Sequence, residues 1–212
     1  NDFFTLFTSG STGMPKGIVH TTAGYLCYAK FTCKEYFGMN SNSIVLTASD
    51  AGWINGHTYA LFGPLSFGAT TILLESPNLI LNEKILDEII KLKITIFYLP
   101  VTIIRLARAI YKNKKIKRNI NLTLGSMGEP LAPSVGKWFA EKFSNKNNSI
   151  VNTYFQTETG GIISAPKYNE KISQSPHGSV GRPVIKKLRI NKLLKNEKKE
   201  FKVITPWPGC MK

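Results

Sequence analysis

Between residues 44 and 153 the sequence alternates short apolar, β-branched runs with longer segments whose apolar residues return at helical spacing, and no other feature limits the fold so strongly. Runs of strand length fall at residues 44–48, 69–75, 94–99, 121–125 and 149–153. Between them, residues 83–93 carry Ile85, Leu86, Ile89 and Ile90 on one helical face with the charged residues opposite. A helix over Val101–Tyr111 opens directly after Pro100, and another is predicted at Pro133–Phe143. Upstream, residues 3–8 read as a strand entering a glycine-rich loop. Residues 20–37 then read as a helix with Tyr25, Leu26 and Ala29 on one face. Repeated strand–helix units need right-handed crossovers, which predicts an α/β fold with a mainly parallel sheet flanked by helices. Ligands on such sheets bind in loops beyond the strand carboxyl ends. The three loops richest in polar and glycine residues, near 8–17, 125–130 and 153–161, all follow predicted strands and suit one shared site.

Composition narrows the class without naming it. A hydrophobic fraction of 42% over 212 residues belongs to an ordinary globular chain. No apolar run reaches the roughly 18–20 residues of a membrane helix, so no membrane partner is expected. The three cysteines show no CxxC spacing, and Cys27 and Cys33 read as core residues of a reduced chain in the cytoplasm or nucleus. His20, His57 and His177 form no metal-ligand pattern. The net charge of +15 raises nucleic-acid binding, with the KNKKIKR run at 112–118 as its seat. No aromatic residue interleaves those lysines, so the run reads as a solvated loop and no nucleic-acid partner is expected. The chain starts almost inside a motif and stops just after Trp207-Pro208-Gly209-Cys210, and is expected to be part of a longer protein. Residues 1–184 read as one ligand-binding part. Residues 185–212 read as a Lys/Asn-rich segment with a lone apolar strand at 201–204.

The loop TSGSTGMPKG at residues 8–17 carries the chemistry. Glycine lets the backbone approach a polyphosphate, while Thr8, Ser9, Ser11 and Thr12 add hydroxyl donors and Lys16 a point charge. It is not a Walker loop, because Pro15 precedes the lysine and Gly17 follows it.

This loop resembles the phosphate-binding signature of the adenylate-forming superfamily. The continuation HTTAGYL at 20–26 is similar to its acetyl-CoA synthetase branch. Further motifs of that branch follow in order: SDAGWINGH at 49–57, GPL at 63–65, GSMGEP at 125–130, TYFQTETGG at 153–161 and GSVGRP at 178–183. The resemblance implies joining of acetate to ATP to give an acyl-adenylate and pyrophosphate, then transfer of the acyl group to coenzyme A with release of AMP. A propionyl or other short-chain enzyme is the alternative. It implies that Thr8, Ser9, Gly10, Ser11, Thr12 and Lys16 hold the β- and γ-phosphates, and that Gly128, Glu129 and Pro130 lie against adenine. Asn152, Thr153, Tyr154, Phe155, Gln156 and Thr157 would line adenine and the α-phosphate, with Lys16, Thr157 and Glu158 acting in catalysis. Glu158 would bind Mg²⁺, unless it is only an acid starting a helix; Glu129 would alternatively close a turn. Asn55 and Asn78 fall where that branch contacts coenzyme A. The resemblance says nothing about oligomeric state.

The acid pocket is where this sequence departs from its relatives. A Trp-Val-Thr run is here Trp53-Ile54-Asn55, Met127 replaces a valine, Phe155 replaces a second tryptophan, and Asn152 replaces a common aspartate. Met127 adds volume and Phe155 removes it, which predicts a cavity of similar size and different shape.

Overall fold

The alternation predicts a parallel sheet, and five strands form it: β3 (Ile44–Thr47), β4 (Thr70–Ile72), β5 (Ile96–Pro100), β6 (Thr123–Met127) and β7 (Val151–Asn152). They pair in parallel throughout, in the order β4-β3-β5-β6-β7. The computed structural model describes residues 1–9, 13–114, 116, 122–144, 147–185, 188–191, 200–203 and 206–212. Three helices make the crossovers: α3 (Glu83–Lys91), α4 (Val101–Tyr111) and α5 (Pro133–Phe143). From β4 onward every crossover advances in one direction along the sheet, so the right-handed rule puts these three helices on one face.

Strand alternation then divides the core in two. Leu46, Phe97, Leu99 and Leu124 point toward α3–α5 and bury against Leu86, Ile104 and Phe139. Val45, Ile96, Tyr98 and Met127 point the other way, where α1 (Thr22–Phe37) covers them with Cys33, Tyr36 and Phe37. Each such fully buried apolar side chain contributes about 1.5–3 kcal/mol of burial free energy. Cys33 belongs to this core, and burial raises its thiol pKa; Cys27 is exposed, so its expected core role is corrected. Its place on the outer side of α1 follows from helical spacing, since Tyr25, Tyr28, Ala29 and Thr32 take the inner stripe.

The glycine-rich loop does not join a strand to a helix, as the sequence suggested. It joins β1 (Asp2–Thr8) to β2 (Lys16–Thr21) in an antiparallel hairpin, with Thr8 opposite Lys16. Residues 17–21 are β-branched or alternate in burial, with Ile18 and His20 inside, and the helix begins only at Thr22. A second unforeseen element is a π-helical stretch, Gly56–Phe62, which runs into a single α turn, α2 (Gly63–Leu65).

Two small pairs complete the described chain: β8 (Ser164–Ala165) with β9 (Arg182–Pro183), and β10 (Leu188–Asn191) with β11 (Glu200–Val203). The apolar strand expected at 201–204 is thus β11, and it has a partner in β10; Ile204 lies outside the described residues. Residues 206–212 return to the core, with Trp207 packed on Tyr28 at 5.5 Å between ring centres. Among the described residues no helix is long and apolar enough to cross a membrane. Only part of the KNKKIKR run is described; there Lys114 pairs with Glu83 and Asp87 on α3, which makes it an anchor of that helix.

Candidate functional site

The carboxyl ends of β3, β5, β6 and β7 lie side by side, and the residues that follow β3, β6 and β7 are those of the SDAGWINGH, GSMGEP and TYFQTETGG motifs. Parallel pairing aligns these ends, so fold alone gathers three motifs separated by up to about a hundred residues.

After β6 the chain turns at Gly128, whose φ of +86° favours glycine, and the space around its absent Cβ is open. Glu129 is exposed, but its carboxylate is not idle: Thr102 Oγ1 donates to Oε1 at 2.9 Å and Arg105 pairs with Oε2 at 2.9 Å. Both partners lie on α4, so Glu129 ties this turn to the helix that follows β5. Pro130 is exposed and leads toward α5.

Asn152 at the end of β7 is buried and its amide is engaged at both ends. Ser126 Oγ donates to its Oδ1 at 2.9 Å, and its Nδ2 donates to the carbonyls of Gly178 and Ser179 at 3.2 Å. The expected adenine residue is therefore also the anchor of the 178–179 turn. Thr153 follows, with Tyr98 beneath it: their hydroxyl oxygens are 2.5 Å apart, and Asn55 Nδ2 donates to the Tyr98 hydroxyl at 3.1 Å. Burial raises the Tyr98 pKa, so its hydroxyl stays protonated. Two separate motifs thus meet through one tyrosine in the middle of an apolar strand. A buried tyrosine needs a hydrogen-bond partner, and that requirement was the available sequence signal.

Of the expected acid pocket, Ile54 and Met127 are buried and Phe155 is partly buried, its ring edge-on to Tyr59 at 5.6 Å. Tyr59 lies on the π-helical stretch, where its hydroxyl accepts from Ile162 N at 2.7 Å, joining that stretch to the chain beyond the TYFQTETGG motif. π-Helical turns often accompany functional sites because they re-aim side chains. Trp53 stands apart from this group, with 68% of its surface exposed. Asn78 is exposed on a short helix, Pro77–Leu81, that packs on α3 and α4, and no hydrogen bond in the described residues links it to Asn55.

The glycine-rich hairpin meets the last motif through His20. Its ring is fully buried and lies 2.8 Å from the Thr157 carbonyl, which can only accept, so Nε2 carries the proton. Burial lowers the His20 pKa, which keeps the ring neutral in that tautomer. A strap reinforces the link: Met211 N donates to Glu158 O at 2.8 Å, Lys212 N to Val19 O at 2.9 Å, and Trp207 Nε1 to Thr159 O at 3.3 Å. The turn itself is a 3₁₀ helix, Thr157–Thr159, closed by Gly160 with φ of +69°. A Cβ on Gly160 would lie 2.1 Å from the Gly209 carbonyl oxygen, so glycine is required by contact as well as by conformation.

Thr157 and Glu158 are partly buried, Tyr154 and Gln156 exposed. No hydrogen bond or ion pair is made by the Glu158 carboxylate to the described residues, and no cluster of three metal-ligating side chains occurs among them. A single free carboxylate fits Mg²⁺ that takes its other ligands from phosphate and water, and does not fit an all-protein metal cage. Thr8 is partly buried, Ser9 and Lys16 are exposed at the hairpin tip, and Gly10, Ser11 and Thr12 lie outside the described residues.

Comparison with known proteins agrees with this arrangement. The AMP-binding enzyme family matches residues 2–203. The chain is 38% identical over 218 aligned residues to an acetyl-coenzyme A synthetase of Drosophila melanogaster, which covers 99% of the chain and 32% of that protein. It is 43% identical to the acetyl-coenzyme A synthetase of Helicobacter pylori strain P12, over 77% of the chain and 25% of the relative. For the acetyl-coenzyme A synthetase of Vibrio cholerae the identity is 42%, over 77% of the chain and 26% of the relative. The chain therefore spans about a third or less of the length of these relatives. With the parallel sheet, the aligned motif loops and a match over nearly the whole sequence, the chain belongs to the AMP-binding enzyme family.

Proposed function

We propose that this chain is the ATP- and acid-binding part of an acetate–CoA ligase. The observation that carries the reading is the likeness to acetyl-coenzyme A synthetases over 77–99% of the chain, in a fold that gathers the motif loops at one sheet edge. In this reading residues 1–184 form the substrate-binding part and residues 185–212 lead into the rest of a larger protein of the cytoplasm or nucleus.

The chemistry is a displacement at the α-phosphate of ATP. An acetate oxygen attacks phosphorus, the bond to the bridging oxygen breaks, and pyrophosphate leaves with the electron pair. Acetyl-adenylate results; the thiol of coenzyme A then attacks its carbonyl carbon and AMP departs. Both steps bring anions together, so positioning and charge stabilisation supply the rate. Thr8, Ser9, Gly10, Ser11, Thr12 and Lys16 hold the departing pyrophosphate, with backbone N–H groups, hydroxyls and one ammonium sharing its charge. Gly128 and Pro130 give adenine a flat approach, and Thr153 to Thr157 run along the nucleotide. Thr157 donates to the α-phosphate, and Glu158 would hold Mg²⁺, which would supply positive charge to offset that of the phosphate oxygens. Ile54, Met127 and Phe155 enclose the acetate methyl group, Asn55 stands where the acid pocket meets coenzyme A, and Asn78 faces coenzyme A.

The test is acid-dependent exchange of labelled pyrophosphate into ATP by the full-length protein, with acetate, propionate and butyrate compared. Exchange should be greatest with acetate and fall with chain length. Exchange that rises from acetate to butyrate, or none with any of the three, contradicts the assignment.

A further inference from the structure

The hydrogen bonds around Tyr98 have a fixed direction, and that direction leaves one buried atom without a partner. Thr153 Oγ1 donates to the Ser126 carbonyl at 3.0 Å. Its only proton is then committed, so at 2.5 Å it accepts from the Tyr98 hydroxyl. Tyr98 has given its own proton in turn and accepts from the Asn55 amide at 3.1 Å, which must present nitrogen rather than oxygen. The chain of donors alone thereby fixes which end of the Asn55 amide faces Tyr98. Its Oδ1 faces away from Tyr98, is buried, and has no hydrogen-bond partner among the described residues. The residue as a whole is only 6% exposed. Buried acceptors are nearly always paired, and one left unpaired in a native protein signals a missing donor.

The surroundings indicate whose donor it is. Asn55 follows Ile54 directly, and Tyr98 packs in one cluster with Tyr59 and Met127, against which Phe155 rests. Through the Tyr98 hydroxyl, Asn55 is thus joined to the cluster that holds Met127 and Phe155, which the proposed function assigns to the acid. The SDAGWINGH loop that carries Asn55 also lies at the same sheet edge as the Thr153 loop.

We infer that Asn55 Oδ1 accepts a hydrogen bond from the acid substrate, so that beyond acetate itself the site takes small 2-hydroxy acids in preference to alkyl acids of equal size. This rests on the acid-activating reading above and names the acid class that the reading leaves open. Acetate carries no such donor and binds without using the acceptor. A hydroxyl on the second carbon supplies the donor, whereas a methyl group of the same volume leaves the oxygen unpaired against an apolar group.

Glycolate and propionate have the same number of heavy atoms and differ only in hydroxyl against methyl, so their ratio isolates the hydrogen bond from size. The full-length protein is assayed by pyrophosphate exchange with acetate, glycolate and propionate, in the wild type and in the Asn55→Leu and Tyr98→Phe variants. In the wild type kcat/KM for glycolate should exceed that for propionate by about two- to tenfold, the range of one net hydrogen bond. Asn55→Leu, which keeps volume and removes the acceptor, should reverse the ratio. Tyr98→Phe, which releases the amide nitrogen and lets the side chain turn, should bring the ratio toward one. Should Asn55→Leu fail to fold, the wild-type and Tyr98→Phe ratios decide. A wild-type ratio of one or below, or a ratio that neither variant moves, overturns the inference while acetate exchange leaves the proposed function standing. Absence of exchange with all three acids overturns both.

Discussion

His20, Asn152 and Glu129 each do something that their place in a motif does not disclose. All three were visible as motif residues, but their partners come from elements remote in sequence: the Thr157 carbonyl, the 178–179 turn and α4. Partner identity across such separations is a tertiary fact, and no local pattern encodes it. His20 makes a pH-dependent contribution with a definite sign. Its folded pKa is lowered, so its stabilising effect is whole above the ordinary value of 6.5 and is lost as pH falls through the folded value. The slope that one such group can add is at most about 1.4 kcal/mol per pH unit. His177 is lowered by burial as well and shares the effect. Urea unfolding between pH 7.5 and 5 should show stability falling with acid, and His20→Gln, whose amide can still donate to Thr157, should flatten that fall. Asn152 supports a second prediction. Its Nδ2 faces two carbonyl oxygens, so Asn152→Asp sets a buried carboxyl against acceptors and should cost at least about 1–3 kcal/mol by equilibrium denaturation. A neutral effect would mean that the 178–179 turn is not anchored there.

At the level of elements, legibility followed length and periodicity. Val101–Tyr111 and Pro133–Phe143 form helices with the expected bounds, because a proline fixes each start and apolar residues recur at helical spacing. β2 was missed because six residues, Lys16–Thr21, show little alternation by residue type: the buried positions are Ile18 and His20, and a histidine does not read as core. The π-helical stretch Gly56–Phe62 had no signal of its own; it is set by packing, with Thr58 donating to the Gly160 carbonyl and Tyr59 bonded to Thr32 and Ile162. Two glycines of positive φ separate conformational from contact requirements. Gly128→Ala meets only the left-handed penalty, about 1–2 kcal/mol, since the space beside it is open. Gly160→Ala also drives a methyl group into the Gly209 carbonyl and displaces the strap that holds Glu158 and Val19. Thermal denaturation should therefore place Gly160→Ala well below Gly128→Ala; equal losses would show that the strap does not press on that turn.

Across the whole molecule, one-directional crossovers place α3–α5 on one face of the sheet and leave the other to α1 and the π-helical stretch. The parallel α/β class was legible from alternation alone, because each buried strand repeats the same local compromise between β-branching and burial. The edge at which the motif loops gather was legible too, since parallel strands share their carboxyl ends. What alternation could not reveal was that the glycine-rich loop belongs to a separate hairpin, brought to that edge by His20 and by residues 207–212. His20 and the strap thereby fasten the glycine-rich hairpin to the turn that carries Thr157 and Glu158. In the proposed reaction an acid oxygen displaces pyrophosphate from the α-phosphate of ATP. The most direct measurement follows that oxygen. Acetate labelled with ¹⁸O in both carboxyl oxygens, turned over by the full-length protein with ATP and coenzyme A, should deliver one ¹⁸O into AMP and none into pyrophosphate. AMP free of label, or label in inorganic phosphate released with ADP, would contradict the account.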